Sequence, residues 1–247
     1  MFALARWLSA TLLCCLALLA RGEPLRLVTE PWAPYVYEHD GQPTGLDYHT
    51  ANEVFRRLGI EVRWEFLPWR RCLMMLEQNS ADGVLDIFHT AQREALLVYP
   101  EQPLSTVQFV LLQANRRPHP ATRLADLAGL TVGTQAAFAY GEAFNQARHF
   151  SREPGPTLEA NLGKLMLGRV DLVITDRQAG RFAVQQLGLA GQVSELPLVV
   201  AEHPQYLALR RNAGLEQVMQ RFDAELARYR QAPEYQALLQ RFTDVSH

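Results

Sequence analysis

The sequence predicts an α/β protein of two lobes joined by two chain crossings, and three observations carry that prediction. The first hundred residues alternate strand-like apolar runs with amphipathic helical stretches, an order that implies parallel strands linked by right-handed crossovers. A polar, proline-bearing break, Ala114-Asn-Arg-Arg-Pro-His-Pro120, then separates this run from a second one of the same kind. Finally, a strand-like segment, Gln205–Arg210, and two helices follow the second run, so the chain leaves the first unit and returns to it. The expected division is residues 23–112 with 206–247 in one lobe and 113–205 in the other. A cleft between such lobes is the natural ligand site, closed by hinge motion at the crossings.

Each element has its own signal. Leu25–Thr29 alternates like a short strand and runs into Glu30-Pro31-Trp32-Ala33-Pro34-Tyr35, where two prolines hold aromatics on a stiff loop. Asp40-Gly41 is a hairpin dipeptide. Gly45-Leu46-Asp47 opens a helix with apolar Ala51, Val54, Phe55 and Leu58 on one stripe, and Gly59 stops it. Ile60–Phe66 alternates as a strand, and Pro68-Trp69 starts a helix that ends near Asn79. Val84–Phe88 reads as a buried strand and Thr106–Gln113 as a longer one. In the second run, Leu130–Gly133 and Val170–Asp176 are strands, while 138–150, 158–167 and 177–187 are helices, the last two stopped by Gly168 and Gly188. Residues 215–229 and 233–242 complete the helices.

Composition excludes several function classes. Hydrophobic residues at 48% and charged residues at 20% leave no call for disorder, and a net charge of −2 invites neither nucleic acid nor an anionic membrane. Residues 1–22 have the form of a secretory signal peptide: a short start with Arg6, an apolar run Leu8–Leu19, then Ala20-Arg21-Gly22. Cleavage after Gly22 would leave Cys72 as the only cysteine, with no internal disulfide, in an exported protein that rests on its core. Cys72 lies in an amphipathic helical pattern and reads as a buried structural thiol. The seven histidines show no metal-ligand spacing, and there is no phosphate loop or nucleophile elbow, so no metal, cofactor or catalytic residue is expected.

The stretch Asp82–Arg93 concentrates the functional signal. A strand passes through His89 into a helix start where Thr90 is a candidate N-cap and Arg93 falls on the first turn. Backbone N–H groups there face a crevice, and an Arg adds a fork suited to a carboxylate. Trp32, Trp69 and Arg93 all lie at carboxyl ends of strands, where ligands of such sheets sit. An ordinary solvent-facing Arg on a strand-to-helix turn is the competing interpretation.

The chain resembles the extracytoplasmic solute-binding proteins of family 3, the polar amino-acid type of periplasmic binding protein. The residues that carry the resemblance stand in order along some 220 residues: Trp32-Ala-Pro-Tyr35, Gly45-Leu-Asp47, Ala81-Asp-Gly83, Thr90-Ala-Gln-Arg93, Leu124-Ala-Asp-Leu-Ala-Gly129, Gly168-Arg-Val-Asp171 and Thr175-Asp176. The resemblance implies a type II periplasmic-binding-protein fold, closure on a small-molecule ligand, delivery to an ABC permease in the inner membrane, and a monomer in the periplasm. It also implies roles: Arg93 for a ligand carboxylate, Asp176 for an ammonium from the second lobe, Trp32 and Trp69 for the ligand's side chain. Asp176 is equally placed to cap the helix beginning at Arg177.

Four positions depart from the amino-acid binders. Asp86, Ile87 and Phe88 replace the small hydroxyl residues usual before the Arg, and Phe138 adds an aromatic where Gly and Ser or Thr are usual. An Asp near a carboxylate site suits a cationic ligand, or else Asp86 pairs with Arg93. The expected activity is therefore ligand capture without catalysis, by a receptor for an amino acid or related amine or carboxylate. Two alternatives remain: a periplasmic enzyme resembling cyclohexadienyl dehydratase, with Asp86, Glu142 or Asp176 as acid, and a binding protein serving a membrane sensor.

Overall fold

A computed structural model describes residues 23–136, 138 and 140–243; the expected signal peptide lies outside the described residues. The first unit contains β1 (Leu25–Thr29), the hairpin β2 (Tyr37–His39) and β3 (Gln42–Thr44), and helix α1 (Leu46–Arg57). It continues with β4 (Val62–Phe66), α2 (Trp69–Glu77), β5 (Gly83–Phe88), the single turn α3 (Ala91–Glu94) and β6 (Leu97–Val98). The second unit contains β7 (Ser105–Ala114), a 3₁₀ turn (Leu124–Leu127), β8 (Thr131–Gln135), α4 (Glu142–Gln146) and β9 (Ser151–Gly155). After α5 (Leu158–Leu167), β10 (Leu172–Asp176) and α6 (Arg177–Gln186), the long strand β11 (Val193–Arg210) leads to α7 (Glu216–Arg230) and α8 (Pro233–Thr243).

One mixed sheet runs through both units in the order β4-β1-β5-β11-β7-β10-β8-β9, with β6 beside β11. β1 is parallel to β4 and β5, and β8 is parallel to β10 and β9, as the strand–helix alternation predicts. β11 joins the two sets: its early residues pair antiparallel with β7 from Val193–Ala114 to Gln205–Ser105, and its late residues pair with β5. β7 also pairs with β10 from Phe109 to Gln113, so it lies between β11 and β10 in the sheet.

Helices cover both faces. Val54 and Phe55 of α1 and Phe222 and Leu226 of α7 pack on Leu27, Leu85 and Leu209 from one side of the first half-sheet. Cys72 and Leu76 of α2 pack on Val28, Val84 and Ile87 from the other. Cys72 is fully buried, as its helical pattern suggests. The second half-sheet has the same two-sided arrangement. The alternation of faces along strands and the 3.6-residue stripes of the helices dictate these layers. Asp40 and Gly41 adopt φ of 51° and 71°, as the hairpin dipeptide requires. At Gly45, φ is 125° and a Cβ would stand 2.2 Å from the Tyr35 carbonyl oxygen, so only glycine lets the aromatic loop close over the start of α1.

Two expectations fail. The helix expected over residues 138–150 exists only as Glu142–Gln146, because Gly141 at φ 104° interrupts the chain and the aromatic residues pack separately instead of forming one stripe. β9 and the first part of β11 were not expected as strands. β9 is the polar edge sequence Ser-Arg-Glu-Pro-Gly, paired on one side only, and carries no alternation to read.

Candidate functional site

The carboxyl end of β5 builds the floor of the site. Thr90 caps α3, its Oγ1 accepting the Arg93 backbone N–H at 3.3 Å. That cap fixes Arg93 on the first turn, where its Nη1 donates to the Phe88 carbonyl at 2.8 Å and the guanidinium stands 5.7 Å from the Trp69 ring centroid. Trp69 is the first residue of α2, and its backbone N–H donates to Glu30 Oε1 at 3.2 Å. The proline-rich loop is closed by the Trp32–Val36 bridge. Its indole meets Tyr35, Phe88 and Phe138 edge-on at centroid distances of 5.8, 6.1 and 5.8 Å.

These residues enclose one cavity of about 640 Å³ including its open mouth. Six of the residues picked out from sequence line it: Trp32, Trp69, Asp86, Phe88, Arg93 and Phe138. Glu30 and Leu85 line it as well and were not anticipated, although Glu30 stands two residues from Trp32 in the same loop. A second cavity of about 920 Å³ shares Glu30, Trp32 and Phe138 and extends over the starts of α5 and α6, past Gln135, Glu159 and Phe182. The Trp32–Phe138 contact therefore partitions a longer cleft.

Thr90 and Asp176 are not among the lining residues. Thr90 serves as the cap of α3. Asp176 is buried at the end of β10, where Oδ2 accepts the Ala179 N–H at 2.9 Å and the Tyr35 hydroxyl at 3.0 Å, while Oδ1 accepts the Gln108 N–H at 3.1 Å. Burial pushes its carboxyl above the usual carboxylate range, and the three donors act against that shift.

Arg93 has no carboxylate partner among the described residues within ion-pair distance, so Asp86 does not pair with it. Burial draws the guanidinium below its ordinary range, but Arg remains a cation. Asp86 instead has as its charged neighbour Asp47, which lies at the start of α1 and is fully buried. Neither carboxyl oxygen of Asp86, nor Oδ1 of Asp47, has a hydrogen-bond partner among the described residues. Both groups are pushed upward, chiefly by burial, and for Asp86 by the charge of Asp47 as well. The importance of Asp47 was not visible in the sequence, where it looks like a first-turn acid complementing a helix dipole.

Chemically, the described residues of the cavity offer the Arg93 cation, flat apolar walls and the carboxyls of Glu30 and Asp86. That set holds an organic ligand with an anionic group and an apolar body. No group of three His, Cys, Asp or Glu suited to a metal occurs among the described residues, and none of their helices is long and apolar enough to cross a membrane.

Comparison with known proteins agrees with this architecture. A curated relative, the membrane-bound lytic murein transglycosylase F of Nitrosospira multiformis, is 24% identical over 148 residues, 58% of this chain; the match spans 30% of that longer protein. Among solved structures, the L-arginine-bound amino-acid ABC transporter substrate-binding protein AbpA of Streptococcus pneumoniae superposes with TM-score 0.75 at 19% identity, covering 90% of this chain and 95% of its own. A histidine kinase sensor domain with similarity to periplasmic binding proteins superposes with TM-score 0.76 at 18% identity, covering 90% and 96%. These likenesses show the type II periplasmic-binding-protein fold. The family model of bacterial extracellular solute-binding proteins, family 3, matches residues 25–245, and the chain belongs to that family.

Proposed function

We propose that the protein is a periplasmic receptor that captures a small carboxylate-bearing solute, an amino acid or related amine, by closure of its two lobes, and delivers it to an ABC importer. The observation that carries this reading is Arg93: a half-buried guanidinium in an aromatic cavity with no carboxylate partner among the described residues. A ligand carboxylate completes it in bidentate geometry. Trp32 and Phe138 come from opposite lobes and meet over the cavity, so a ligand beneath them touches both lobes and favours the closed form. The reading is of capture without catalysis, by a monomer exported through cleavage after Gly22.

The test is a thermal-shift screen of residues 23–247 against amino acids, amines, organic acids and prephenate. Ligands that bind only the folded state raise the melting temperature by mass action. Stabilisation by amino acids, abolished in Arg93→Ala, supports the reading; turnover of prephenate overturns it. The likeness to a kinase sensor domain favours one second reading, in which the closed lobes engage a membrane sensor. Co-purification with a permease complex or with a sensor kinase separates the two.

A further inference from the structure

Among the acids near the cavity, Asp176 has both carboxyl oxygens occupied by backbone and tyrosine donors and lines neither cavity. Glu30 holds the Trp69 N–H with one oxygen. Asp86 differs. It lines the cavity with Arg93, is 7% exposed, and neither of its oxygens receives a donor from any described residue. Its backbone has φ of 60°, where the β5–β11 pairing shifts register between Tyr206 and Ala208. A buried carboxyl without donors is costly, and N–H groups on a ligand would supply them.

We propose that Asp86, in place of Asp176, receives a cationic nitrogen of the ligand, so that the cleft selects compounds carrying an amine beside the carboxylate held by Arg93. The proposal rests on the reading of Arg93 as the carboxylate site. Two neighbouring buried carboxyls favour a single negative charge over two. When an ammonium arrives, that charge settles on Asp86 and the proton on Asp47, whose Oδ2 stays hydrogen-bonded to Ser105.

The surroundings favour this arrangement. Ser105 Oγ also stands 2.9 Å from the Gln205 side-chain oxygen, so Asp47 is anchored to β7 and, through it, to β11. Arg230 of α7 is the cation whose field reaches Asp47, but its own donors go to the carbonyls of Pro103 and Leu104 and to Gln102. Asp176 and the neutral Tyr35 hydroxyl face the pair from the second lobe side, while Arg93 and Glu30 share the cavity. Burial pushes Asp47 up to about 6 and Asp86 further. Below that pH the pair gains a second proton and loses its charge. Amine binding therefore weakens on acidification and releases a proton.

The experiment is titration calorimetry with amino acids, their deaminated carboxylic acids and their decarboxylated amines, at pH 5 and 8. In wild-type protein the deaminated acids are expected to bind about tenfold or more weaker than the amino acids. Asp86→Asn is expected to close most of that gap, whereas Arg93→Ala weakens acids and amino acids alike. At pH 5, wild-type binding of an amino acid measured in buffers of different ionisation heat is expected to release protons, a readout that needs no variant to fold. Equal affinity for acids and amino acids, a gap unchanged in Asp86→Asn, or proton uptake overturns the proposal while leaving the Arg93 reading intact. No binding by any of the three classes overturns both.

Discussion

Tyr35 and Asp176 are 141 positions apart in the chain, yet the Tyr35 hydroxyl donates to Asp176 Oδ2 at 3.0 Å. The bond ties the aromatic loop after β1 to the start of α6, and so links the two halves of the protein beside the cleft. Asp176 is thereby both a helix cap and a latch point.

Tyr35→Phe is expected to cost about 1 kcal/mol of folding stability, since it removes one neutral donor from a buried acceptor that keeps two others. Asp176→Ala is expected to cost more, about 2 kcal/mol or above, because the α6 cap is lost too. Urea melts of both variants check the order. A larger effect in Tyr35→Phe would show that the aromatic loop depends on the latch more than the helix does.

Arg93→Ala should leave the melting temperature of the ligand-free protein within a few degrees of wild type, as its side-chain hydrogen bond goes to the Phe88 carbonyl at the cavity edge. Ligand affinity should fall by about thirtyfold or more, the effect of removing a buried charge-assisted pair. Thr90→Ala offers a contrast: it frays α3 and should weaken binding less, through mispositioning of Arg93.

The Asp47–Asp86 pair gives stability a distinctive pH dependence. Both carboxyls are raised in the folded protein, whereas in the unfolded chain Asp titrates near 4. Between about pH 4 and the folded values, the native state binds more protons, so the pair's stabilising contribution is lost as pH rises through that window. The half-buried His49 and His203, lowered by partial burial, act in the opposite direction below pH 6.5. The informative quantity is thus the difference between proteins. Asp86→Asn should gain stability relative to wild type on going from pH 5 to 8, measured by thermal melts; a constant difference would remove the raised Asp86 carboxyl from the account.

Fluorescence offers a simple readout of the cavity. Trp32 and Trp69 line it, while Trp64 packs against Tyr48 and donates to Asn52 at 3.2 Å. Ligand binding should shift the emission of wild type and Trp64→Phe equally. The shift should shrink in Trp32→Phe and Trp69→Phe.

Cys72 should resist alkylation in the native protein, since burial pushes its thiol up to about 12 and its Sγ bonds to the Leu67 carbonyl. Iodoacetamide labelling should appear only with unfolding.

Much of this was legible in the sequence, for identifiable reasons. Runs such as Val84–Phe88 and the stripe Ala51, Val54, Phe55 encode their own burial, and the turn glycines at 45, 59, 168 and 188 all take positive φ. Arg93 and Trp32 could be found because each sits next to a local signal, a cap or a proline pair. β9 could not, since an edge strand of Ser-Arg-Glu-Pro-Gly takes its identity from the neighbouring β8. The partner of Asp86 was hidden for the same reason. Asp47 comes from a different helix, and only the tertiary fold brings the two acids together.

The path of β11 has a consequence for how the chain is made. The first half-sheet needs residues 205–210 as the neighbour of β5, so its first hundred residues hold three parallel strands with one flank of β5 bare until nearly the whole polypeptide has emerged. A bare flank of Val-Leu-Asp-Ile-Phe invites pairing with another chain. A fragment ending at residue 104 is therefore expected to associate with its copies along that flank, which β11 covers only near the end of the chain.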